Sequence, residues 1–462
     1  MRFYDTLSRS RAEIAPLEPG RVTIYTCGPT VYRYAHIGNM RTYIGADLLR
    51  RALELEGYEV RQVTNITDVG HLTNDSDVRG EDRMLVAVED EGLSAAEIAQ
   101  KYTDAYLRHI EALSISPSAV YPKATEHVPQ MIELIGELIE RGHAYEADGF
   151  VYFDVDSFPA YGRLSGNTPE QLRAAHRIEE VDPRKRNHYD FTLWRAAGQG
   201  RIMKWPSPWG EGYPGWHIEC SAMSIKHLGE RFDIHTGGED NIFPHHEDEI
   251  AQSEGAVGHG VVQRWFHGAH LLAEGRKMAK SAQNYYTVDD LVERGFDPLA
   301  FRYLVLQTRW RSQMNFTWEG LEAAERGLEK LRKQMAEWAS GPVDELSIEA
   351  KELDRRFREA VADDLDTPQA LVTVSELVAS PIDAAEKFHL LSMWDRFLGL
   401  DLAREVVGRE ALPEGAAELI EQREQARRSK DWAVADRLRD QLAAMHVELI
   451  DTLAGTRWRI TL

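Results

Sequence analysis

An apolar run at residues 22–26 leads into Cys27-Gly28-Pro29-Thr30. A helical pattern follows from about 40 to 56, then Gly57 and a second β-rich run at 59–63. This order of strand, glycine-containing turn, helix and strand constrains the chain more than any other feature, because a βαβ opening commits it to a layered sheet of parallel strands. In such sheets ligands gather beyond the carboxyl ends of the strands, here around residues 27–38 and 64–71. The expected fold class is α/β, with a Rossmann-type doubly wound domain at its head.

With 462 residues, 43% of them hydrophobic, the chain can bury several cores. Residues 94–116 and 126–143 have amphipathic helical periodicity, 150–155 alternates as a short strand, and the Pro-, Gly- and charge-rich stretch 156–189 marks an insertion. A helix at 215–228, a strand at 232–235, a Gly237-Gly238 turn and a helix at 243–254 resume the α/β pattern. Charged amphipathic helices are expected at 319–338, 347–363 and 368–399. A terminal helix at 416–445 then precedes strands at 447–450 and 456–460.

The formal net charge of −22 excludes a non-specific nucleic-acid coat, since a uniformly acidic surface repels phosphate. Any RNA contact must be local. Arg423, Arg427, Arg428, Lys430, Arg437, Arg439, Arg457 and Arg459 cluster near the C-terminus, but Glu421, Glu424, Asp431, Asp436 and Asp440 interleave with them, so a salt-bridged helix face fits the charges equally well. No run approaches the roughly 18–20 apolar residues of a membrane span, and no secretory pattern opens the chain. The expectation is a cytoplasmic monomer without membrane contact. Two cysteines, Cys27 and Cys220, are too few for a disulfide framework.

Three groups of residues carry chemistry. His36-Ile37-Gly38-Asn39 follows the first strand and precedes its helix, where backbone N–H groups and an imidazole can meet phosphate oxygens. Lys277-Met278-Ala279-Lys280-Ser281 offers two lysines that can neutralise charge on a leaving pyrophosphate. Cys27, Cys220, His245 and Glu249 supply two thiolates, an imidazole and a carboxylate, with His245 and Glu249 at i and i+4 on one helical face, a plausible tetrahedral set for Zn²⁺. Taken singly, each is more often a core or surface residue than a ligand.

The first two groups together resemble the ATP-binding signatures of class I aminoacyl-tRNA synthetases. The stretches Cys27-Gly28-Pro29-Thr30-Val31-Tyr32, Pro214-Gly215-Trp216-His217-Ile218-Glu219-Cys220-Ser221-Ala222-Met223 and Phe243-Pro244-His245-His246-Glu247-Asp248-Glu249 resemble the cysteinyl-tRNA synthetase family over nearly the whole chain. The resemblance implies that Cys27, Cys220, His245 and Glu249 hold one zinc ion and that Thr30 and Trp216 meet the substrate cysteine. It also implies that His36, Gly38, Asn39, Gly237, Gly238, Asp240, Lys277 and Lys280 serve ATP, with His36, Lys277 and Lys280 catalytic; Mg²⁺ is expected to accompany ATP, with no protein ligand for it legible in the sequence. Residues 420–460 resemble the family's anticodon-reading domain, where Arg427, Asp436, Arg439 and Trp458 are expected to contact tRNA(Cys). The implied division is a Rossmann catalytic domain at 1–120 and 206–262, an inserted connective subdomain at 121–205 and a stem-contact region at 263–318. A helical bundle at 319–402 and an anticodon-binding domain at 403–462 complete it.

Three places depart from the family pattern: Asn39 stands where a histidine is usual, Ala279 where a serine is usual, and the segment 67–90, including His71, diverges. Two rivals stay open at this point, an amide-forming ligase of cysteine with an amino-sugar and a tRNA-binding paralogue without catalysis. No editing domain is expected, because metal coordination separates a thiol from a hydroxyl better than an apolar pocket can.

Overall fold

The computed structural model describes residues 1–70, 82–168, 171, 182–198, 201–278, 284–339, 343, 345–404, 413, 415–429, 431–445, 447–452 and 455–460. A hairpin of β1 (Arg2–Asp5) and β2 (Ser10–Glu13) precedes β3 (Arg21–Thr26), α1 (Ile37–Leu55) and β4 (Glu59–Thr64). Next come α2 (Arg83–Glu91), α3 (Ala95–Ala112) and α4 (Val128–Glu140). A four-stranded antiparallel sheet follows, made of β5 (Ala144–Ala147), β6 (Phe150–Phe153), β7 (Phe191–Ala196) and β8 (Gly212–Pro214). The main domain resumes with α5 (Trp216–Leu228), β9 (Phe232–Gly238), α6 (Glu247–Val257) and β10 (Val262–Gly268).

The central sheet has the order β10-β9-β3-β4, and every pair in it is parallel. Side chains on β3 alternate between two cores, as the pleat requires. Val22 and Ile24 join the larger core, which runs through α1 into the helices beyond residue 318. Tyr25 joins the second, formed with Met131 of α4, Phe153 and Trp194 of the inserted sheet, and Met223 of α5.

A three-stranded sheet of order β12-β11-β13 comes next, from β11 (Leu271–Ala273), β12 (Arg276–Lys277) and β13 (Met314–Phe316), with α7 (Val288–Glu293) and α8 (Pro298–Leu306) between the last two strands. The bundle is α9 (Trp318–Trp338), α10 (Ile348–Ala362), α11 (Thr367–Ala379) and α12 (Ala384–Leu398). A small unit ends the chain: α13 (Ala416–Arg428), α14 (Trp432–Ala444) and the hairpin β14 (Val447–Thr452) and β15 (Gly455–Ile460).

Three expected elements differ. The helix expected at 368–399 is two helices, parted at Ser380-Pro381; Pro381 has no N–H to offer and Asp383 caps the restart through Ala385 N at 2.8 Å. The helix expected at 416–445 is also two, because Asp431 accepts from Val434 N at 3.2 Å and caps a new start. Gly237 and Gly238 do not form a turn. They finish β9, whose partner β10 continues alongside to His267 and Gly268. Among the described residues no helix is long and apolar enough to cross a membrane.

Candidate metal centre and nucleotide crevice

β3 and β9 lie side by side, and the chain leaves them in opposite directions, toward β4 and toward β10. The carboxyl ends of this pair therefore frame the topological switch point, where open α/β sheets bind ligands. Cys27 follows β3 directly, and its N–H donates to Thr236 O of β9 at 3.1 Å. Cys220 arrives from α5, His245 from the helical turn Ile242–His246, and Glu249 from the first turn of α6 that follows it.

The two Sγ atoms are 3.9 Å apart, Cys27 Sγ is 3.7 Å from Glu249 Oε1, and His245 Nε2 is 3.1 Å from the same oxygen. Donor atoms of Cys27, Cys220, His245 and Glu249 all lie within 4.8 Å of one another. Two sulfurs, one imidazole nitrogen and one carboxylate oxygen at this spacing fit a four-coordinate zinc ion. Burial pushes the Cys27 thiol well up, whereas its hydrogen bond to Cys220 holds the Cys220 thiol down. Burial also opposes ionisation of Glu249, but His235 and His245 outweigh it and bring the carboxyl to about 2.

A second layer of imidazoles, not foreseen from sequence, lies against this set. Cys27, His235, His246 and Glu249 also bring donor atoms within 4.8 Å of one another. His235 Nε2 is 2.9 Å from Glu249 Oε2, and His246 Nε2 is 3.1 Å from Cys27 Sγ. His246 Nδ1 meets His267 Nε2 at 2.7 Å, and His267 Nδ1 meets Thr6 Oγ1 at 2.7 Å. Burial lowers the pKa of His246 and His267, to about 3 for His267, so these two rings stay neutral, and His246 orients Cys27 in front of it. Gly237 is required here, since a Cβ would stand 2.6 Å from His246 Cε1.

Beside the metal set, the Trp216 ring lies 5.2 Å from the His245 ring. Thr30 bridges Thr67 in parallel fashion. A buried polar chain supports this wall: Gly28 N donates to Asn65 Oδ1 at 2.8 Å, Asn65 Nδ2 to Thr67 Oγ1 at 3.1 Å, and Thr67 Oγ1 to Glu219 Oε2 at 2.9 Å. No local signal in the sequence marks Asn65, Thr67 and Glu219 as partners, because only the fold brings residue 219 to residue 67.

His36 caps α1. Asn39 N donates to His36 Nδ1 at 3.1 Å, and His36 N donates to Asn39 Oδ1 at 3.1 Å. An Nδ1 that accepts leaves the proton of the neutral ring on Nε2, which is then a donor. Burial and the nearby Arg33 charge lower its pKa to about 4, so the ring is neutral at pH 7. Asn39 thus takes one half of a reciprocal cap. Gly38 packs under Met278, whose Cε would be 2.5 Å from an added Cβ. Asp240 is exposed at the mouth of the crevice, with Gly238 N donating to the neighbouring Asn241 Oδ1 at 3.0 Å. Lys277 is exposed on β12. Ala279, Lys280 and Ser281 lie outside the described residues, as do 71–81 of the divergent segment.

Residues 13–326 match the model of the tRNA synthetases class I (C) catalytic domain. The cysteine–tRNA ligase of Thermus thermophilus is 47% identical over 482 residues, covering 99% of both chains. The chain belongs to the cysteine–tRNA ligase family. A second member, from Chlorobaculum tepidum, is 40% identical over 485 residues, covering 99% of this chain and 98% of its own.

Residues 409–459 match the cysteinyl-tRNA ligase anticodon binding domain. In this part of the family member described here, Asp436 and Arg439 are exposed on α14, and Arg427 is half-buried at the end of α13. Trp458 is half-buried and packs on the small core of Ala416, Leu442, Val447 and Leu449. The open aromatic is Trp432, 58% exposed, which shares a helical stripe with Asp436 and Arg439. Trp432 is absent from the residues expected from sequence to meet the anticodon, although the spacing 432, 436, 439 carries the signal of a shared helical face.

Solved structures of other class I synthetases share the fold. Methionyl-tRNA synthetase of Mycobacterium tuberculosis, bound by methionyl-adenylate, superposes with a TM-score of 0.55 at 17% identity, covering 82% of this chain and 90% of its own. The LeuRS–tRNA–LeuAMS ternary complex of Agrobacterium radiobacter gives 0.56 at 12% identity, covering 85% of each chain.

Proposed function

We propose that this protein activates L-cysteine with ATP to cysteinyl adenylate and transfers the cysteinyl group to the 3′ end of tRNA(Cys). The observation that carries the reading is the convergence of Cys27, Cys220, His245 and Glu249 at the switch point of a chain whose relatives are cysteine–tRNA ligases. These four residues would hold zinc, which supplies a soft Lewis-acidic position that takes a thiolate and discriminates against a serine hydroxyl. Glu249 is kept ionised and oriented by His235, and His246 steadies Cys27. Thr30 and Trp216 flank the bound amino acid.

Gly237, Gly238 and Asp240 receive the adenosine, and Gly38 and Asn39 lie along the phosphates, whose charge Mg²⁺ bound with ATP would partly neutralise. The cysteine carboxylate attacks the α-phosphorus in line and pyrophosphate leaves. His36 donates its Nε2–H to an α-phosphate oxygen as charge builds there, while Lys277 and Lys280 neutralise the departing pyrophosphate. The terminal ribose hydroxyl of tRNA then attacks the adenylate carbonyl and AMP leaves. No protein nucleophile is needed; orientation and electrostatics supply the rate.

Arg427, Asp436, Arg439 and Trp458 are assigned to the anticodon, and Trp432 joins them because its face is open. The five-part division of the chain, its action as a cytoplasmic monomer and the lack of an editing domain belong to the same reading. The test is cysteine-dependent ATP–pyrophosphate exchange followed by acylation of tRNA(Cys). Exchange without acylation would favour the amino-sugar ligase, and tRNA binding without exchange a non-catalytic paralogue.

A further inference from the structure

Arg41 lies little more than one turn along α1 from His36, and it is 4% exposed. Among the described residues its guanidinium bonds only to main-chain carbonyls: Nη1 to Ala269 O at 2.8 Å and His270 O at 2.6 Å, Nη2 to Ser312 O at 2.5 Å and Arg309 O at 3.4 Å. Burial lowers its pKa to about 10, which leaves it charged at neutral pH.

The partners of those bonds are the roots of the sheet that carries Lys277. Carbonyls 269 and 270 immediately precede β11, which pairs with β12 through Leu272 and Lys277. Carbonyls 309 and 312 precede β13, which pairs with the other edge of β11 through Leu271 and Met314. A sheet whose Lys277 strand is only two residues long cannot set its own orientation. One side chain of α1 holds both of its entries. The same helix start grips the far side of the Lys277 connection: Ile37 N donates to Tyr286 O at 2.8 Å, the Tyr285 hydroxyl donates to Tyr34 O, and the Tyr285 ring stands edge-on to His36 with centroids 5.0 Å apart.

We propose that Arg41 is a positioning residue for adenylate formation, fixing the sheet that carries Lys277 relative to His36 so that both groups act on one triphosphate. This rests on the function proposed above. The planar fork of arginine serves four carbonyls at two separate segments, which the single ammonium of lysine cannot match. Taking a cation out of water is costly, and the four carbonyl oxygens offset that cost only in part. That cost is offset when an anion such as the triphosphate binds at the neighbouring turn.

Arg41→Lys and Arg41→Gln in the full-length, metal-loaded protein test the assignment. Metal content, KM for ATP and for cysteine, and kcat of pyrophosphate exchange would be measured. So would single-turnover transfer from the isolated enzyme–adenylate complex to tRNA(Cys). The expected result for Arg41→Lys is a fall in exchange kcat of ~10- to 100-fold with a raised KM for ATP. Arg41→Gln should fall further. In both, metal content, KM for cysteine and the transfer rate stay at the wild-type level. Equal losses in exchange and transfer, a matching rise in KM for cysteine, wild-type exchange in both variants, or failure of both to fold would overturn the proposal. A wild-type protein without exchange activity would break the functional reading instead.

Discussion

The crevice between β3 and β9 and the C-terminal unit differ in how their side chains are held. In the crevice the donors are buried or half-buried and held by neighbouring side chains: Glu249 by His235, Cys27 by His246, His36 by Asn39. In the C-terminal unit Trp432, Asp436 and Arg439 point to solvent from a helix that packs on a core of four buried residues. A small ion or amino acid must be met by groups already in place, because each misplaced polar group in a dry site is costly. A macromolecule offers enough area to order exposed side chains as it binds, so the same rigidity is not needed there.

The contrast predicts separable damage. The largest effect should come from Cys220→Ala, which removes one soft ligand: metal analysis should fall from one ion per chain toward none, and cysteine-dependent exchange should drop on the order of 1000-fold. Retained metal and activity would mean that the second donor set suffices without Cys220. His36→Ala comes next, with exchange slowed ~100-fold while metal content is unchanged, since one donor to the developing charge is lost.

The double variant Trp432→Ala with Arg439→Ala should reduce kcat/KM for tRNA by about tenfold and leave exchange intact, given a loss of one stacked base. A fall in exchange as well would erase the distinction between the two regions. The smallest effect is on stability. His36 titrates at about 4 when folded against an ordinary 6.5, so between those values the unfolded chain takes up a proton that the folded chain refuses. Stability from this group is complete above pH 6.5 and is lost as pH falls toward 4. Thermal unfolding of His36→Gln should therefore depend less steeply on pH in that window, and identical slopes would count against a depressed imidazole.

Much of this was legible in the residues. The βαβ opening and the amphipathic helices show themselves in local periodicity, and the cysteine- and histidine-bearing motifs stand in contiguous stretches. What stayed hidden depended on register or on small breaks. His235, His246 and His267 meet because β9 and β10 align His235 with Trp265 and Gly237 with His267, a pairing with no local signal. Asn65, Thr67 and Glu219 join only once α5 lies over the end of β4. The helix breaks at Pro381 and Asp431 did have signals, but strong periodicity on either side masked them. Trp458 drew attention by its setting among arginines, whereas exposure favours Trp432.

The position of β3 also bears on how a ribosome delivers this chain. The hydrogen bonds that seat β3 beside β9, such as Thr23 N to Asp233, span 210 residues. During synthesis the middle of the sheet therefore emerges long before its neighbour, and an apolar edge waits with only β4 beside it. The parallel sheet, and with it the crevice, can close only after residues 232–238 of β9 have been made.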